Sequence, residues 1–363
     1  MSLNDNYNTN PYNPMFGTPP EAYIHRYKEE NQILNEFCAP NARPLSYMII
    51  GARGMGKTVL MNELANRFET FPEWVVIRLN PNRDMVESLM RKLSGHKKVA
   101  PIIKSAKINL SFFSLTIGKS DASQIKDEED AITEIVKELK KDGKRVLIAV
   151  DEATNTETMK AFASSYQTLA GQKLPVYLLM TGLYENVSSL KNVKNLTFLY
   201  RMPRVFLSPL QQSEISENYR DVFLLNESEA NEMAAYTKGF SYGFQLLGKL
   251  AWDNEGDYKP FLSDYRNDLY EMVYEKVWDE MSPKDKELAY SIASTPDGRV
   301  KSIREKLKWE PNELSPYKDR LLKKGIILSP SYGHLEMALP YFKGFVLDNY
   351  VEIVKPEDLP EDL

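Results

Sequence analysis

The stretch "GARGMGKT" sets Gly51, four residues, Gly56, Lys57 and Thr58 between the apolar run "LSYMII" and the amphipathic "KTVLMNELANRF". A strand that ends in such a loop and opens a helix offers backbone N–H groups and a helix N-terminus to an anionic phosphate chain. The cradle is then Gly51, Ala52, Arg53, Gly54, Met55, Gly56, Lys57, Thr58 and Val59. Lys57 would reach the terminal phosphates and Thr58 would ligate Mg²⁺. In "VLIAVDEA", an apolar run ends in Asp151 and Glu152. At the carboxyl edge of a parallel sheet, Asp151 can hold Mg²⁺ through water while Glu152 polarises the attacking water. Taken alone, the same pair also suits the acidic start of the next helix. Thr181 closes the "PVYLLM" run on the same edge, as a turn residue or as a group that positions water. Arg201 and Arg204, in "FLYRMPRVFLSPL", are either solvated or candidates for an arginine finger.

These residues need strands to deliver them and helices to cover the strands. A helix is expected from near Tyr27, with apolar residues at Ile33, Leu34 and Phe37. Strands are expected over 45–50, 73–80, 145–153 and 174–182, and helices over 57–68, 85–93, 130–144 and 156–172. Strands without alternation, joined by helices, indicate a parallel sheet covered on both faces. The stretch between Ser94 and Asp130 is less regular, and "INLSFFSLTIG" within it suggests a strand or hairpin.

After about Leu210, helical patterns follow one another without a strand. From about Met281 there are three more helical segments, then turn residues between two apolar runs in "IILSPSYGHLEMAL", which suggest a hairpin. The expected domains are a flexible arm over 1–20, an α/β domain over 21–209, an all-α lid over 210–278, a C-terminal domain over 279–350 and a tail over 351–363.

The totals fit a soluble, multidomain chain. At 363 residues it exceeds the size at which one core usually keeps growing. Lys and Arg number 46 against 51 Asp and Glu, so a nucleic-acid partner would need a local basic patch. The single cysteine, Cys38, can form no internal disulfide and is expected to be a buried small hydrophobe in a reducing compartment. His25, His96 and His334 have no ligand spacing, so no metal site other than Mg²⁺ is expected. No apolar run reaches the 18 or so residues of a membrane span and no signal peptide is evident, so the expectation is a cytoplasmic protein without a membrane partner.

Together "GARGMGKT", "VDE", "LLMTG", "YRMPRVFLSPL" and "GFSYGFQLLGKLAW" resemble the AAA+ ATPases of the archaeal, origin-recognition-like type, near the STAND NTPases. The likeness runs from about Phe16 to Asp253. It implies a P-loop NTPase parallel sheet of five strands, a small helical lid, and ATP bound between them with Mg²⁺. It places Tyr23 and Ile24, in "PPEAYIHRYKEE", near adenine. Thr181 becomes the sensor on the fourth strand, and Arg201 or Arg204 points toward the ATP of a neighbouring subunit, so that self-association depends on ATP. The lid departs from the pattern, because "GFSYGFQLL" has no arginine where many AAA+ proteins place a second sensor.

The C-terminal block has the order of a winged helix. Arg299 to Lys324 holds nine basic residues and four acidic, a local net of plus five. If "NELSPYKDRLLKKG" entered a major groove, Lys318, Arg320, Lys323 and Lys324 would meet phosphates, with Ser315 and Tyr317 near base edges. The sequence therefore suggests a slow ATPase that switches DNA binding. The alternative is a STAND-like regulator whose C-terminal domain contacts a protein.

Overall fold

The computed structural model describes residues 7–15, 20–43, 45–106, 108, 127–184, 186 and 197–350. The chain divides into two compact units. One holds His25–Gly51 and Gly56–Leu207. The other holds the arm up to Ile24, the loop tip Ala52–Met55, and the chain from Ser208 onward.

The first unit is built on β1 (Ser46–Ile50), β2 (Trp74–Leu79), β3 (Arg145–Val150), β4 (Val176–Gly182) and β5 (Arg204–Phe206). They form one sheet in the order β2-β3-β4-β1-β5, and every pairing is parallel. Alternation along the strands splits its side chains between two layers. Met48, Ile50, Val75, Ile77, Val146, Ile148, Leu178 and Met180 share a core with apolar residues of the helices Met85–Ser94, Glu128–Lys141 and Glu157–Gly171. The opposite face carries Tyr47, Trp74 and Tyr177 against Phe37 of helix α1 (Tyr27–Cys38) and Phe68 of helix α2 (Lys57–Thr70). Strands buried on both sides explain the continuous apolar runs read from the sequence.

One expectation changes here. Cys38 is exposed, not buried: it is the last residue of α1, one past Phe37, where the apolar stripe ends. In the Ser94–Asp130 stretch the structure has a short helix, Ala100–Ala106, while "INLSFFSLTIG" lies outside the described residues except for Ile108.

The second unit is helical where the sequence lacks strands. Helices Gln212–Phe223, Glu227–Ala235 and Ser241–Asp253 come first. Leu262–Leu269 then continues through a π-helical turn, Tyr270–Tyr274, into Glu275–Asp279. Pro283–Ser294, Val300–Leu307 and Pro311–Lys324 follow, then a two-stranded antiparallel hairpin, β6 (Ile327–Leu328) with β7 (Glu336–Met337), and a last helix, Phe342–Asn349. The N-terminal arm is anchored here. Tyr12, 3% exposed, stacks on Phe223, meets Phe244 edge-on, and donates its hydroxyl to Asn218 at 2.7 Å. It fits because residue 248 is glycine: a Cβ there would stand 2.4 Å from the Tyr12 ring.

Candidate nucleotide-binding site

In the sheet-bearing unit the expected residues converge at the carboxyl ends of β1, β3 and β4, the edge where open parallel sheets bind ligands. Gly51 follows β1 directly and Lys57 opens α2, whose N-cap Gly56 has φ +83. That left-handed backbone suits glycine and turns the chain into a helix N-terminus, the kind of end that can take an anion. The Lys57 ammonium donates to the Gly51 carbonyl at 3.0 Å, which closes the loop on itself.

The acid pair lies across from it. Thr58 Oγ1 donates to both oxygens of Asp151, at 2.9 and 3.1 Å. Thr181 Oγ1 also donates to the Asp151 carboxylate, and accepts the Glu152 N–H at 2.9 Å. The Thr181 carbonyl accepts the Ala153 N–H at 2.8 Å. Thr181 is fully buried, so one side chain ties the end of β4 to the turn after β3. Glu152 has φ +54, a costly backbone for a residue with a Cβ, and its side chain is exposed. The strain is held by those two hydrogen bonds.

Hydroxyl and carboxylate oxygens from Thr58 and Asp151 are the hard donors that Mg²⁺ takes, and Mg²⁺ typically uses only one or two protein carboxylates beside phosphate and water. The residues therefore fit the group. Among the described residues no cluster of three or more His, Cys, Asp or Glu could hold a metal on its own.

The loop tip is described within the helical unit. The Gly54 carbonyl accepts the Tyr242 N–H at 2.9 Å, and the Met55 carbonyl accepts Ser241 Oγ at 3.2 Å. The first of these gives a partner to a backbone N–H in the first turn of Ser241–Asp253. Gly54 has φ +81, and a Cβ on it would lie 2.6 Å from the Phe240 ring. Tyr23 and Ile24 also belong to this unit; Ile24 is buried and Tyr23 half-buried. Their segment is fixed by the Gln245 amide, which donates to the Ala22 carbonyl at 2.7 Å and accepts the Asn13 N–H at 2.9 Å. Ser241, Tyr242 and Gln245 lie in the "GFSYGFQLLGKLAW" stretch, and the structure adds the contacts that each of them makes.

Arg201 ends the short helix Thr197–Arg201 and is exposed. Arg204 lies on the edge strand β5, half-buried, and donates to the Tyr200 carbonyl at 3.1 Å. The two arginines are therefore not equivalent.

The six residues expected to meet DNA do not share a face. Glu313, Tyr317, Arg320 and Lys324 turn toward Pro283–Ser294. There Lys284 pairs with Glu313 and lies over the Tyr317 ring, and the Arg320 guanidinium holds Asp285 at 2.7 Å. Lys324 is 7% exposed and 3.6 Å from the same carboxylate, which Ser282 also bonds. Burial pushes the Lys324 ammonium down to about 8. Arg320 and Lys324 thus serve as counter-charges to Asp285, and Tyr317 stacks beneath Arg320. Ser315 and Lys323 are exposed and Lys318 is half-buried. The signal for this was "SPKD", a capping box whose Asp285 is 1% exposed and must be paired.

Residues 24–199 match the model of an ATPase domain predominantly from Archaea, and residues 271–346 match a domain of unknown function. Two curated relatives from Methanocaldococcus jannaschii, the uncharacterized ATP-binding proteins MJ1301 and MJ0074, are each 28% identical over 153 residues. The match takes in 38% of this chain and only 38% and 42% of their lengths. Among solved structures, the Walker-type ATPase of Pyrococcus abyssi has a TM-score of 0.58 at 16% identity, over 90% of this chain and 97% of that one. The ORC2 protein of Aeropyrum pernix, solved as ADPNP–ADP complexes, also scores 0.58, at 13% identity, over 92% of this chain and 95% of that one. The fold is that of these P-loop ATPases. Among the described residues no helix is long and apolar enough to cross a membrane.

Proposed function

We propose that the archaeal-type ATPase domain of residues 24–199 binds ATP with Mg²⁺, hydrolyses it slowly, and so switches what the C-terminal segment contacts. The observation that carries this is the convergence of two hydroxyls, Thr58 and Thr181, on Asp151, one strand across from the glycine loop that ends in Lys57. Lys57 would neutralise phosphate charge, and Thr58 with Asp151 would hold the metal, whose contribution is to offset charge developing on the phosphoryl oxygens. Glu152, exposed on a strained turn, would orient the attacking water. Slow turnover is supported by the lid helix Ser241–Asp253, which has no arginine to complete the charge set. Arg201, the more exposed of the two candidates, is the better choice for a finger acting on a neighbouring subunit during ATP-dependent self-association.

The test is nucleotide binding by Lys57→Ala. The expected result is loss of ATP and ADP binding in a chain that still folds; unchanged affinity would overturn the reading.

For the output, three helices and a hairpin suit a winged helix, and DNA contacts would come from Ser315, Lys318 and Lys323 together with the exposed Lys301 and Lys308. The inward turn of Arg320 and Lys324 favours the second reading, a regulatory ATPase whose C-terminal segment contacts protein. Binding measured across salt separates them, because phosphate contacts give a steep dependence on salt.

A further inference from the structure

The tip of the glycine loop is tied to the C-terminal segment by charge. Arg53 Nη2 lies 2.9 Å from Glu280 Oε1, with 34% and 32% of the two side chains exposed. Glu280 ends the helix Glu275–Asp279 and stands two residues before Ser282, the cap of Pro283–Ser294. Ala52 lies near Gly325 at the end of Pro311–Lys324, 3.9 Å from where a Cβ on that glycine would stand. The Arg53 Nε is buried and has no hydrogen-bond partner among the described residues. A buried N–H without an acceptor is costly, and a guanidinium prefers planar, two-pronged anions such as a phosphate. Glu280 satisfies one arm of the fork only.

We propose that Glu280 is a positioning residue for the nucleotide, acting through Arg53: its carboxylate and the phosphate chain compete for one guanidinium. This rests on the reading that the loop holds nucleotide. The competition makes the C-terminal segment a sensor of occupancy. A triphosphate brings more negative charge than one carboxylate and draws Arg53 toward it, which releases Glu280 and the helix start behind it. Coupling of this kind is reciprocal, so removing the carboxylate strengthens nucleotide binding. The pair is a third exposed, which limits the expected gain to about two- to fivefold.

The test uses the full chain as wild type, E280Q and E280D, titrated with a fluorescent ATP analogue in Mg²⁺ and followed by amide hydrogen exchange over 275–285. E280D keeps the charge on a shorter arm and covers the case in which E280Q fails to fold. The expected result is a Kd about two- to fivefold lower in E280Q, with a smaller fall in E280D. In wild type, nucleotide speeds exchange over 275–285; in E280Q, exchange there is fast already and indifferent to nucleotide. Equal or weaker binding by E280Q, or wild-type exchange that nucleotide leaves unchanged, would overturn the inference while leaving the nucleotide site intact. A wild type that binds no nucleotide overturns both readings, and is seen before any Glu280 variant is made.

Discussion

Thr181 has two jobs, and removing its hydroxyl separates them. Thr181→Ala leaves the Glu152 N–H without its acceptor and takes one of two hydroxyl donors from Asp151. The strained turn at Glu152 then relaxes, so turnover should fall about 10- to 100-fold while ATP affinity changes little, because Lys57 and Thr58 are untouched. Steady-state kinetics beside equilibrium binding checks this. Glu152→Gln should go further: binding persists and turnover drops about 100-fold or more, as the proposed water-orienting role requires. The glycine loop was legible from its spacing between a strand and a helix, whereas the acid pair gained meaning only beside that loop, because Asp151 and Glu152 alone suit a helix start equally well. The Thr181 link was only half legible, because a strand-end threonine reads equally well as a turn residue until its partners are seen.

At the scale of elements, the helix Pro311–Lys324 shows that a net charge does not say where each charge is spent. Its basic residues are spread around the cylinder, and the positions at 313, 317, 320 and 324 fall on one face by helical periodicity. That face meets Pro283–Ser294 through Asp285. Asp285→Asn should destabilise the C-terminal segment by about 2 kcal/mol, less than a fully buried pair because Arg320 is partly exposed. A pH effect follows from Lys324, whose folded value of about 8 lies below the ordinary 10.5. Between those values the unfolded chain binds more protons, so this group makes stability rise with pH across the window. Lys324→Met, which removes the buried charge, should flatten that rise, as thermal unfolding from pH 7 to 10 would reveal. The strands and most helices were readable because burial on both faces leaves apolar runs. The pairing of Asp285 was hinted at only by its capping box.

For the whole molecule, the arm was the part least readable from sequence. Its Asn- and Pro-rich composition predicts an extended, flexible segment, and the described residues 7–15 of it hold no helix or strand. What composition cannot convey is that Tyr12 meets a glycine at 248 and three aromatic rings. Tyr12→Ala should cost about 3–5 kcal/mol, measured by denaturant unfolding of the full chain. Gly248→Ala should cost a similar amount by closing the socket from the other side, and the two losses should not add, since both empty the same contact.

That socket has a practical consequence. A chain begun after Met15 would leave a ring-sized hollow bounded by Tyr219, Phe223 and Phe244, with the Asn218 amide at its rim. A synthetic peptide carrying residues 7–15 should bind that shortened protein in trans and restore its melting temperature. The same hollow would give a small phenol a foothold in the shortened protein, where it should compete with the peptide.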